Sequence, residues 1–331
     1  MKSITPYVGV TGYTSASQVE HSLKFVPEDS VRKLMVGVLV SSKTLEGLTN
    51  SYKHRYPPIG TVKDIFLDDP RCLNLIHYNT KDAPNLVSQV LKLAELAGDN
   101  CHGFQFNIRW PDIDHLAEIR HQLPNHQIVV QIGSGALRAF VNENDPLGPM
   151  LMREKLSQYA DRGVIDYMLF DPSGGTGRPF NPDTAVRMLQ PYQGQELAYG
   201  LGVAGGLSAA TIDLLLPVVA EFPRVSWDAE GRLRDADDML CLDSTALFIQ
   251  RSFLIEQVLM AKFNFPGAHV DYDEGNLFDM YSQVQRMLDN FGYPRELAFD
   301  MLSIVFGRRF VNDNRQPLSL GLASSGFPEQ G

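Results

Sequence analysis

Phe104-Gln105-Phe106-Asn107-Ile108-Arg109 alternates apolar and polar residues with a period of two. Successive side chains of a strand point to opposite faces, so Phe104, Phe106 and Ile108 share one face and Gln105 and Asn107 the other. An apolar outer face and a polar inner one suit a sheet covered by helices outside and closed around a site within. Working outward from this run, further strands are expected over 7–11, 34–40, 73–78, 127–132, 165–171, 197–203 and 224–228, with this one over 102–108. Apolar residues at helical spacing predict helices over 15–25, 83–96, 113–122, 149–160, 182–189, 209–221 and 245–263. The segment after the second strand has no clear period. Eight strand–helix units in about 260 residues predict a (β/α)8 TIM barrel. The barrel is expected over 1–264. A helical extension and flexible tail are expected over 265–331, packing on the barrel or on a second subunit and so making a homodimer.

Composition narrows the partners. Lys and Arg number 29 against 39 Asp and Glu, a formal charge of −10. No basic field draws in a polyanion, so a nucleic acid is not expected as partner. The three cysteines, Cys72, Cys101 and Cys241, form no CxxC pair. That argues against a disulfide framework or structural zinc and suits a reducing compartment. No apolar run approaches the ~20 residues needed to span a membrane, and the N-terminus lacks a signal-like apolar region, so a cytoplasmic protein is expected. His115, His121 and His126 do not fall three on one face, and H-E-x-x-H is absent, so no metal site and no cofactor are expected.

Active sites of this architecture lie at the C-terminal ends of the strands. The polar residues expected there are Gln105 and Asn107 on strand four and Gln131 on strand five. His77 closes strand three, with an intrinsic pKa suited to acid–base work.

Two glycine clusters carry the chemistry. Asp171-Pro-Ser-Gly-Gly-Thr-Gly-Arg-Pro-Phe180 follows an apolar strand, and Asn181-Pro182 begins the next helix. Backbone N–H groups in a glycine loop, aimed by a helix N-terminus, can cradle a phosphate, with the carboxylate of Asp171 beside it. Gly205-Gly206-Leu207-Ser208 repeats the pattern, with Ser208 placed to cap the following helix. Gly200-x-Gly202-x-x-Gly205 also matches a dinucleotide fingerprint, with Asp228 ending the next strand. That reading needs a further strand after Asp228, where the chain turns helical. It makes a nucleotide-dependent oxidoreductase the lesser alternative.

Asp171…Gly174-Gly175-Thr176-Gly177…Phe180, Ala204-Gly205-Gly206-Leu207-Ser208 and the segment from Val225 to Asp235 together resemble the second half of phosphoribosylanthranilate isomerase. The opening Val8-Gly9-Val10-Thr11-Gly12-Tyr13-Thr14 resembles that family's strand-Cys-Gly-x-Thr motif. The resemblance spans about 7–235 and implies a single (β/α)8 barrel performing an Amadori rearrangement. By it, Asp171 is the general acid that opens a phosphoribosyl ring. Gly174, Gly175, Thr176, Gly177, Gly205 and Gly206, with the turn at Glu230 and Gly231, hold the phosphate, and Asp228 lies near the family's strand-eight aspartate. The family's base, a cysteine on strand one, is Thr11 here, and a hydroxyl is too weak a base near neutral pH. His77 is the candidate substitute. The sequence therefore points to a barrel enzyme for a phosphorylated small molecule, an aldose–ketose isomerase, with a non-catalytic phospho-ligand binder of the same fold as alternative.

Overall fold

A computed structural model of the chain describes residues 4–137, 147–172 and 180–264. Residues 1–253 form one compact unit and 254–331 a second. Within the first, eight parallel strands close into a barrel in sequence order. They are β1 (Tyr7–Thr11), β2 (Lys33–Ser41), β3 (Cys72–Asn79), β4 (Gly103–Phe106), β5 (Gln127–Gly133), β6 (Tyr167–Asp171), β7 (Gly200–Ala204) and β8 (Ser226–Ala229). Closure is made by β1 and β8, where Val8 pairs with Trp227 and Gly9 with Asp228. The expected (β/α)8 barrel is thus the observed fold, and the strands fall within three residues of their expected bounds. The expected extension over 265–331 lies outside the described residues.

The period of two sorts the core. Val8, Val10, Val36, Val38, Phe104, Phe106, Ile128, Val130, Met168 and Phe170 are buried on the outer face. Tyr7, Met35, Leu73, Leu75, Val129, Tyr167, Leu169 and Ala204 pack into one cluster inside. Tyr7 and Tyr167 meet edge to face with ring centroids 5.2 Å apart. One inward step further along the strands, Leu75 is followed by His77, Val129 by Gln131 and Leu169 by Asp171, so the filling turns from apolar to polar toward the C-terminal mouth.

Polar clamps fasten the other end. The Arg32 guanidinium donates to the carbonyls of Val225 and Pro223, each at 2.6 Å, and lies 4.3 Å over the Trp227 ring. The Trp227 indole in turn donates to Ser252 at 3.0 Å. Asp166 accepts from the Ile128 backbone at 2.8 Å and from Arg120.

Two expectations need correction. The helix expected over 209–221 is a 3-10 turn, Ile212–Leu215, followed by a short α-helix, Leu216–Glu221. Pro217 is the reason: inside a longer helix it would remove a hydrogen bond and collide with the preceding turn, whereas in the first turn neither cost arises. Ser208 consequently caps no long helix. Its N–H donates to Thr211 Oγ1 at 3.0 Å, and Thr211 Oγ1 donates to the Gly206 carbonyl at 3.0 Å.

Gly103 sits where the neighbouring strand leaves no room for a side chain. It pairs with Gln127 at φ +157°, and a Cβ there would lie 2.1 Å from the Gln127 carbonyl oxygen. The obstacle is backbone, so relief requires the β4–β5 ladder to part. Gly103→Ala is expected to destabilise the barrel by about 3 kcal/mol, the upper end of overpacking costs, read as a lower denaturation midpoint at unchanged slope. An unchanged midpoint would show that this contact is not tight.

Candidate active site

Six side chains from six strands meet at the C-terminal mouth in one hydrogen-bonded chain. Gln131 Nε2 donates to Asp171 Oδ2 at 2.8 Å. Gln105 Nε2 donates to Gln131 Oε1 at 3.1 Å and stands 3.2 Å from His77 Nδ1. His77 Nδ1 lies 3.2 Å from Thr11 Oγ1, which is 3.1 and 3.3 Å from the two carboxyl oxygens of Asp228. Thr11, His77, Gln105, Asp171 and Asp228 are all buried. Each was expected at a strand end, and the fold brings them together. Asn107 stands at the margin: β4 ends at Phe106, and Asn107 Oδ1 is 3.5 Å from Gln105 Nε2.

Missing side chains make room for this layer. A Cβ on Gly37 would lie 2.6 Å from Thr11 Oγ1 and 2.8 Å from His77 Nε2, and one on Gly9 would lie 2.8 Å from Asp228 Oδ1. Only glycine at these two inward positions leaves the polar groups free to reach one another.

Burial sets the protonation. The Asp228 carboxyl is pushed well above the usual carboxylate range, first by desolvation and then by the charges of Glu230 and Asp171. Hydrogen bonds from Thr11 and Gln105 oppose this only in part. Burial pulls His77 down to about 3, so its imidazole is neutral at physiological pH and weak as a base. The intrinsic pKa that recommends His77 as a substitute base does not survive its surroundings.

Outside this layer lies a latch that sequence spacing does not reveal. Arg55, from the loop after β2, makes a bidentate pair with Asp238, both contacts at 2.7 Å, and reaches Glu230 at 3.3 Å. Arg234 lies 3.5 Å from Glu230 and donates to the Asp238 carbonyl at 3.1 Å. Gly12, at φ +114°, accommodates the Arg234 guanidinium, since a Cβ there would lie 2.2 Å from its Nη2. Desolvation raises the Glu230 pKa, and the two guanidinium groups oppose that rise. The Glu230 side chain is thus committed to Arg55 and Arg234, leaving the backbone at Glu230 and Gly231 as the part relevant to a ligand. The sequence signal was only the charged pair Arg234-Asp235, because Arg55 lies far away in the chain.

Of the glycine loops, Gly205 and Gly206 have φ of +110° and +68° directly after β7. Gly174, Gly175, Thr176 and Gly177 lie outside the described residues. Among the described residues no group of three or more His, Cys, Asp or Glu could hold a metal ion, and no helix is long and apolar enough to cross a membrane.

No family model matches the chain, and no curated protein does. Among solved structures it is similar to a phosphoribosyl anthranilate isomerase from Thermus thermophilus, at 14% identity and TM-score 0.49, over 75% of this chain and 99% of that one. The catalytic domain of a chitinase from Pyrococcus furiosus aligns at 13% identity and TM-score 0.46, over 78% and 97% of the two chains. An aldolase aligns at 10% identity and TM-score 0.44, over 78% and 100%. Likenesses this distant assign no activity.

The buried acid gives a pH test. An Asp whose pKa is raised on folding stabilises fully below its unfolded pKa of about 3.9, and that contribution is lost as pH rises toward the folded value. Asn at 228 cannot ionise in either state. Asp228→Asn should therefore gain on the wild type as pH rises from 6 to 8, by up to about 1.4 kcal/mol per unit. His77 is neutral in both proteins there and cancels. Parallel curves of stability against pH would show that Asp228 ionises freely in the fold.

Proposed function

We propose that this chain is a barrel enzyme that binds a phosphorylated sugar or ribosyl-phosphate compound at the C-terminal mouth and moves a proton between neighbouring carbons, an aldose–ketose isomerisation. The observation that carries the reading is the unbroken chain of hydrogen bonds joining two buried carboxyl groups, Asp171 and Asp228, in the polar layer at that end. Two carboxyl groups in contrasting surroundings suit opposite tasks. Asp171, with an oxygen accepting from Gln131, takes and returns the proton. Asp228, whose carboxyl burial biases toward the protonated form, is the group that donates a hydrogen bond without adding charge. Thr11 and His77 orient these groups and do not serve as bases.

The phosphate is assigned to the loops after β6, β7 and β8, through backbone groups of Gly174, Gly175, Thr176, Gly177, Gly205, Gly206, Glu230 and Gly231. Loops late in a barrel commonly serve this role. The left-handed conformations at Gly205 and Gly206 and the motif resemblance to phosphoribosylanthranilate isomerase support the assignment. Asn107, at the rim, is assigned to the sugar in this reading.

Ribose 5-phosphate in deuterated water tests both halves. The wild type is expected to exchange the C2 hydrogen for deuterium, followed by proton NMR, and to melt at higher temperature with the ligand present. A ligand at 100 times its dissociation constant adds about 2.7 kcal/mol. Asp171→Asn should keep the thermal shift and lose the exchange by at least a hundredfold, the scale of general acid–base catalysis. Exchange unaffected by that change removes Asp171 from the mechanism. A thermal shift without any exchange leaves a binding protein, and neither effect overturns the reading.

A further inference from the structure

Amide groups inside the polar layer have a direction, and that direction can be followed from one end. The Asp171 oxygen facing Gln131 accepts, so the Gln131 amide nitrogen must point toward it and its carbonyl oxygen away. That carbonyl oxygen needs a donor, which turns the Gln105 amide nitrogen inward at 3.1 Å. The same nitrogen stands 3.2 Å from His77 Nδ1. An amide nitrogen only donates, so the ring nitrogen facing it must be the bare one. Reversing either glutamine would set oxygen against oxygen, at Gln131 or at Asp171.

We propose that Gln131 and Gln105 are positioning residues that transmit the polarity of the Asp171 carboxylate to His77 and fix its single proton on Nε2. On the far side of the ring, Thr11 Oγ1 stands 3.2 Å from the same Nδ1 and 3.1 Å from Asp228 Oδ1. The other tautomer would aim an N–H at the hydrogens of the Gln105 amide. Nε2 has no hydrogen-bond partner among the described residues and is buried; Gly37 is the residue that keeps space beside it. A neutral imidazole with its proton on Nε2 is a hydrogen-bond donor of fixed direction, the counterpart of a carboxylate that takes the proton. This catalytic use rests on the isomerase reading, whereas the tautomer itself does not.

The test therefore uses ligand-free, full-length protein. Two-bond proton–nitrogen correlation spectra of the 15N-labelled chain at pH 7 separate the two tautomers and the imidazolium, with His77 assigned by its absence in His77→Gln. The wild type is expected to show only the Nε2–H form. Gln131→Met and Gln105→Met each break the chain, and in both a second, Nδ1–H form should appear. A wild-type ring protonated on Nδ1, or on both nitrogens, overturns the proposal without requiring any variant to fold. A pure Nε2–H signal in either folded variant overturns it too, because the glutamines would then not set the tautomer. Failure of ribose 5-phosphate to bind or exchange leaves these spectra unaffected, so the two readings fail separately.

Discussion

A closed barrel that places polar side chains in its interior must satisfy them from one another, because each buried group left unpaired costs about 1–3 kcal/mol. At the mouth of this molecule the layer meets that constraint except at His77 Nε2 and Gln105 Oε1, which are buried without a partner among the described residues. The hydrogen bond from Gln131 to Asp171 anchors the layer, and its geometry follows from register. Gly133 pairs with Asp171 and Gln131 with Leu169, so the Gln131 side chain must reach one step up the neighbouring strand. Asparagine is a methylene shorter. The same need for reach holds for Gln105, which pairs directly with Val129 yet contacts side chains on both neighbouring strands.

Room for the layer comes from residues that contribute nothing to it. Gly9 and Gly37 face inward on β1 and β2, where any side chain would press on Asp228, Thr11 or His77. Their neighbours along the same faces are large: Tyr7 before Gly9, and Met35 before Gly37. The interior is therefore filled from the N-terminal side up to a plane and emptied above it. That emptying lets three side chains from β1, β3 and β8 interlock.

The period-two reading found this plane because alternation is a local property. Alternation along β4 and β5 singles out Gln105 and Gln131, whereas His77 stands out as a strand end, Asp171 through its glycine cluster and Thr11 through the motif resemblance; all five lie on the inward parity of their strands. What the sequence did not show depends on distance through the fold. Burial turns His77 from a plausible base into a neutral ring, and burial is decided by seven other strands. The Arg55–Asp238 pair joins residues far apart in the chain, without a motif at either end. The broken helix before Glu221 is different: apolar periodicity alone runs straight across Pro217, whose local effect divides it.

The latch and the layer also divide the charge between them. Glu230 and Asp238 hold Arg55 and Arg234, a compact exchange of charges at the rim. The largest influences on Asp228 are its own burial, the carboxyl groups of Glu230 and Asp171 and the donors Thr11 and Gln105. An ionised Asp228 would face Glu230 and Asp171 in a medium where such repulsion is weakly screened. Keeping the proton is the cheaper state, and a protonated carboxyl offers a donor where an ionised one could only accept. The rim takes the guanidinium groups and the interior keeps its proton.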